Sequence, residues 1–122
     1  MNIIISNSSD SPIYEQILEQ IKRQIIQGTL KEGEMLPSIR NLAKELNISV
    51  ITTKRAYEEL EKAGFIESVQ GKGSYVAPQN RELIKEQKIK HIENMLSEVI
   101  KESKLIGFEL EELYEILKFL YE

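Results

Sequence analysis

The residues of this chain best suited to chemistry stand between Arg40 and Lys72, where hydroxyls, cations and two β-branched apolar side chains fall at helical spacing. If Thr53, Ala56, Tyr57 and Leu60 form the inward stripe of a helix, the same helix turns Val50, Ile51, Lys54, Arg55 and Glu58 toward solvent. Val50 and Ile51 at a helix start are costly to leave in water unless a partner covers them, and apolar side chains fit the C5-methyl of thymine. Ser49 and Thr52 offer hydroxyls to phosphates or base edges. Lys54 and Arg55 lie one turn further in, suited to phosphate or guanine. Arg40, in the first turn of the preceding helix, points toward the backbone beside the groove, and Lys72 stands between two glycines, placed to reach phosphates or the minor groove. The competing reading is an ordinary solvated helix, with Arg40 in a surface ion pair and Lys72 a plain turn lysine.

Other chemistries find little support. His91 is the single histidine, on a helix between Lys90 and Ile92 without ligand spacing around it, so a surface or interface histidine is expected. Glu109, Glu111, Glu112 and Glu115 alternate with leucines and read as a solvated face. Gln70-Gly71-Lys72-Gly73 lacks the spacing of a phosphate-binding loop and leads from strand to strand. No metal-ligand cluster, cofactor motif or paired acid and base is visible, and no enzyme is expected. With no cysteine in 122 residues, disulfide and thiolate chemistry are excluded. No apolar run reaches the roughly 18 residues of a membrane span, and MNIIISNSSD lacks the basic start and long apolar stretch of a secretory signal. A cytoplasmic protein is expected. The net charge of −4 conceals an asymmetry: from Pro37 to Tyr57 four basic residues face one acidic residue, whereas from Gln79 to Glu122 seven basic residues face ten acidic ones.

The elements that must position these residues follow from capping and periodicity. Ser11-Pro12 predicts a capped helix start with proline at the first helical position, and Ile13, Ile17, Leu18, Ile21 and Ile25 form its buried face up to Gly28. Thr29–Leu36 reads as a connection. Ser38 caps a short second helix with Ile39, Leu42, Ala43 and Leu46 inward; Asn47 tolerates the sharp turn and Ile48 plugs the gap. Ser49 caps a third helix that runs to about Ala63, and Gly64 stops it. Phe65–Val69 and Ser74–Val76 read as strands around a glycine-tipped turn, and Pro78 marks a linker. Two further helices are expected, about Asn80–Lys104 and Phe108–Tyr121. The fold class is therefore mainly α with a small β-hairpin: a winged helix-turn-helix over residues 1–78 and a two-helix C-terminal tail over 79–122.

From Tyr14 to Val76 the chain resembles the GntR family of bacterial transcription regulators. The likeness lies in the first helix ending at Gly28, LPSIRNLAKELNIS, the threonines Thr52 and Thr53, Ala56-Tyr57, Leu60, Gly64-Phe65-Ile66 and the QGKGSYV hairpin. The resemblance implies binding of double-stranded operator DNA by a homodimer, with contacts from Arg40, Ser49, Thr52, Lys54, Gln70 and Gly71. This chain departs from many relatives at Val50, where they carry arginine, and at Ile51, where they often carry threonine or asparagine. That difference bears on base preference, not on docking.

Only 44 residues follow Pro78, which is similar to the YtrA-type branch, whose short tail serves for dimerisation and whose members often regulate transporter operons. The pattern of residues agrees. A long helix carrying Ile89, Ile92, Leu96, Val99 and Ile100 has too wide an apolar face for a short neighbour carrying Leu113, Leu117 and Leu120 to cover, so a second copy is the expected cover. Two symmetric copies would meet an inverted repeat as a repressor does, recognition helices in major grooves and wings at the backbone or minor groove. A protein-interaction adaptor that uses the same fold without DNA is the alternative. A small-molecule effector is not identified, and a tail this short leaves little room within one subunit for a ligand cavity of about 300 Å³ or more.

Overall fold

The computed structural model describes residues 1–122, which form two compact units, Met1–Asn80 and Arg81–Glu122. The N-terminal unit contains α1 (Ile13–Gln27), α2 (Ile39–Leu46), α3 (Val50–Lys62), β1 (Ile66–Val69) and β2 (Gly73–Val76). The C-terminal unit contains α4 (Arg81–Leu105) and α5 (Leu110–Tyr121). The first unit runs two residues beyond Pro78 because Gln79 is tied back to it. Its backbone N–H donates to Glu32 Oε1 at 2.9 Å, and its side-chain amide donates to Ala77 O at 2.6 Å.

Three helices enclose the core. Ile17, Ile21 and Ile25, one turn apart along α1, are fully buried against Leu42 of α2, Ala56, Tyr57 and Leu60 of α3, and Ile66 and Val76 of the hairpin. The caps follow the residue types. Ser38 Oγ accepts from Asn41 N–H at 3.1 Å and Ser49 Oγ from Thr52 N–H at 3.0 Å, each satisfying a helix-end donor. Asn47 adopts φ 56°, the left-handed conformation that folds α3 back on α2 within three residues, while Ile48 packs against the core. The start of α1 differs from expectation. Pro12 itself is the flanking cap residue, with ψ 152°, and no side chain caps the helix. A proline that leaves φ at −55° but ψ extended sits one place before the helix rather than in its first turn.

Two features extend this core beyond three helices and a hairpin. Residues 2–6 run antiparallel to α1 and are held by three glutamines spaced four apart. Gln24 Nε2 donates to Asn2 O at 2.8 Å; Gln20 donates to Ile4 O at 2.6 Å and accepts from Ile4 N–H at 2.9 Å; Gln16 donates to Ser6 O at 3.0 Å and accepts from Ser6 N–H at 2.8 Å. Four helical residues advance about 6 Å and two extended residues about 6.6 Å, so the two repeats stay in step. Ile3 and Ile5, the alternate residues, pack on the core. The segment expected as a plain connection also contributes: Leu36 N–H donates to Ser74 O and Val76 N–H to Glu34 O, both at 2.9 Å, with Met35 opposite Tyr75. The hairpin thus gains a short third edge, and Leu36 is buried beneath it.

Tyr57 ties the core to the helix-turn-helix. Its hydroxyl donates to Pro37 O at 2.6 Å just ahead of α2, and burial pushes the phenol well above the ordinary tyrosine value near 10. Above that pH the unfolded chain binds fewer protons here than the folded chain, so this contribution to stability is fully present below about pH 10 and is lost as pH rises. Urea unfolding between pH 8 and 11 is expected to show stability falling more steeply in the native chain than in Tyr57→Phe. At neutral pH the variant, with Pro37 O left unpartnered, should be less stable by about 1–3 kcal/mol.

In the C-terminal unit neither helix has a buried residue. Gly107 at φ 72° and the Phe108 N–H bond to Ser103 O at 2.9 Å close α4 and lead into α5. Val99, Ser103, Ile106, Phe108, Leu113 and Ile116 line a groove of about 490 Å³. That is more room than the tail's length leads one to expect. It exists because the groove is open along one side, not closed by further chain.

Candidate nucleic-acid interface

The start of α3 is the most unusual surface of the N-terminal unit. Val50 is 46% exposed and Ile51 81% exposed, side by side in the first turn of a helix whose opposite face is fully buried. The helix is rigidly seated beneath them. Thr53 Oγ1 donates to Ser49 O at 3.1 Å, and Ala56, Tyr57 and Leu60 lock the inner face. Ser49 Oγ both accepts from Thr52 N–H and donates to Thr52 Oγ1 at 2.7 Å. The Ser49 hydroxyl is thereby committed to the cap, while the Thr52 hydroxyl hydrogen remains free to donate outward.

The basic residues take different positions around this turn. Lys54 is exposed and faces Glu58 one turn on, Nζ to Oε1 3.9 Å, an exposed pair of small energetic weight that a phosphate can replace. Arg55 is exposed, as its place in the helical repeat implies, and it also makes a contact outside its own helix. Its guanidinium lies over the ring of Tyr14 in α1, 3.8 Å from the centroid. The helix wheel of α3 alone cannot show this, because the acceptor ring comes from another element. Arg40 is exposed in the first turn of α2. β1 runs beside the C-terminal half of α3, with Ser68 Oγ donating to Glu61 Oε2 at 3.2 Å. At the hairpin tip Lys72 N–H donates to Val69 O at 2.9 Å and Gly71 takes φ 78°, leaving Gln70, Gly71 and Lys72 all exposed. Nothing in the sequence around Tyr14 signals its contact with Arg55; an aromatic residue in the first turn of an amphipathic helix reads as core.

The sequence residues expected in a dimer contact are likewise accessible in the single chain. Ile89, Ile92, Leu96, Val99, Ile100, Leu117 and Leu120 are exposed, and Leu113 is half-buried in the groove of the tail. Met95, Ile116 and Phe119 are exposed as well.

A helix-turn-helix whose second helix presents an apolar and basic edge, followed by a hairpin with an exposed lysine tip, defines a winged helix-turn-helix protein. The chain belongs to the family of bacterial regulatory proteins known as the gntR family, whose pattern it matches over residues 13–76. It is 38% identical over 116 residues to the HTH-type transcriptional repressor YtrA of Bacillus subtilis, covering 95% of this chain and 89% of that protein. YtrA from Sulfolobus acidocaldarius, a GntR-family transcription factor, superposes with a TM-score of 0.60 at 38% identity, over 74% of this chain and 95% of that one. The DNA-binding part of AraR, solved in complex with operator ORX1, superposes with a TM-score of 0.56 at 28% identity, over 63% and 96% respectively. These relatives are regulators of transcription and not enzymes. No helix of the structure is long and apolar enough to cross a membrane.

Proposed function

We propose that this chain is a homodimeric repressor that binds an inverted-repeat operator, with α3 in the major groove and the hairpin tip at the neighbouring backbone or minor groove. The observation that carries the proposal is the exposure of Val50 and Ile51 on the best-anchored helix of the fold. Such residues gain when they meet thymine methyls, while Thr52 and Lys54 on the same helix, with exposed Arg40 and Lys72 on α2 and the hairpin tip, supply phosphate donors. The names of its relatives support repression, and the AraR complex supports operator DNA as the ligand. The tail supports the second copy, since two helices with no buried residue carry an apolar surface that another copy of the chain would cover. Two recognition helices related by a two-fold axis would then meet half-sites about 34 Å apart, or a multiple of that.

Arg40→Ala and Lys54→Ala test the proposal without disturbing the core, because both side chains are exposed. Each is expected to weaken binding to a duplex of the chain's own upstream region by at least about 1 kcal/mol, with unchanged melting temperature. Unchanged binding in both would count against a DNA surface here. A native chain that shifts no duplex at low salt would favour a protein partner instead.

A further inference from the structure

We propose that Tyr14 is a positioning residue for DNA binding: its ring holds the Arg55 guanidinium at the seam of α1 and α3 so that the edge of that group meets a backbone phosphate. This rests on the operator-binding function proposed above. Tyr14 stands in the first turn of α1, half-buried, with its ring packed on the core cluster and its hydroxyl donating to Glu15 Oε1 at 3.3 Å. The ring is therefore fixed by the fold before any ligand arrives. Arg55, 3.8 Å from the ring centroid, is itself exposed. Stacking occupies a face of the planar guanidinium and leaves its N–H groups, which all lie in the plane, directed outward. Those edge donors match two phosphate oxygens at once.

The placement favours phosphate over a base edge. Arg55 is four residues beyond Ile51, so the two are neighbours on the surface of α3, yet the guanidinium leans off the helix onto α1. Ile51, the more exposed of the two apolar residues at the helix start, keeps the centre of the reading edge, and the arginine flanks it. A free arginine loses rotamer freedom when it binds; one already resting on a ring loses less.

The test uses the full chain, a duplex of its own upstream region and a random duplex of equal length, with Kd measured across about 50–200 mM salt. Tyr14→Leu keeps an apolar side chain on the core but removes the ring face. It is expected to raise Kd several-fold to tenfold on both duplexes and to lower the slope of log K against log salt by about 1. Arg55→Ala should match it, the double variant should lose nothing further, and Tyr14→Phe should behave as the native chain. A ring that serves only packing would change the melting temperature and leave the slope alone, which overturns the positioning role, as do additive losses. A loss confined to the upstream duplex marks a base contact and overturns the phosphate assignment. Arg55→Lys, a surface change that cannot unfold the core, retains the charge without the planar fork. It should raise Kd several-fold, and native affinity in it overturns the proposal even if Tyr14→Leu does not fold. If the native chain binds neither duplex, operator binding itself fails and this role with it; if it binds and the variants bind equally, only the role of Tyr14 falls.

Discussion

Ending the chain after Asn80 is expected to leave a folded monomer whose operator affinity is lower by about a hundred- to ten-thousand-fold. The N-terminal unit owns its core, from Ile17 on α1 to Val76 on β2, and draws no buried residue from α4 or α5. Its fold therefore does not depend on the tail. In the proposed dimer its affinity does, because a second recognition helix held on the same dimer would rebind at a high effective concentration, and a monomer would forfeit that term. Sedimentation of the fragment and titration of a labelled duplex would read both quantities. Ile92→Asp in the full chain should give the same outcome without any truncation, since a charge at an exposed position of α4 is harmless to one copy and costly between two. A fragment that sediments as a dimer, or an Ile92→Asp chain that keeps full affinity, would sink the role given to the tail.

Ile21→Ala should be the most damaging single change in the N-terminal unit. The side chain is fully buried between Ile17 and Ile25, in the centre of the cluster that joins α1 to α2, α3 and the hairpin. Truncating it removes transfer energy and leaves a void that helices pinned at both ends cannot collapse, a loss of about 2–5 kcal/mol. For a unit of this size the melting temperature should fall by roughly 10–30 °C. Val50→Ala is the informative contrast. Its side chain meets no core, so stability should change by less than about 0.5 kcal/mol while operator binding weakens. Equal stability losses in the two variants would mean that Val50 is part of the scaffold and not of the reading edge.

Much of the N-terminal unit was legible because its signals are local. Ser38, Asn47 and Ser49 specify the helix-turn-helix through bonds made within three or four residues, and the glycine-tipped turn specifies the hairpin in the same way. What escaped depends on partners distant in sequence. Gln16, Gln20 and Gln24 look like a solvated helix face, and nothing near them shows that residues 2–6 will bond to them. Glu34–Leu36 looks like a loop because three residues beside Gly33 are too few to register as a strand, and the pairing partner lies about 40 residues away. Arg55 is exposed, as the wheel of its own helix implies, but the ring it rests on belongs to Tyr14 on α1, which that wheel does not include. The apolar tail was legible as a surface needing cover, yet its open groove arises from the turn at Gly107 and the setting of Phe108 and Ile106, which periodicity does not address.

The glutamine ladder on α1 changes which substitutions that helix can absorb. A polar position facing water normally accepts almost any hydrophilic residue, but these three each serve a backbone with both a donor and an acceptor, or with a donor alone. Glutamate keeps the shape and loses the donor, setting a carboxylate against a peptide oxygen; lysine keeps a donor and loses the acceptor. Glutamine is the one long side chain that answers both needs, so drift along α1 is restricted on two faces. The isoleucines are held by volume and the glutamines by hydrogen-bond polarity.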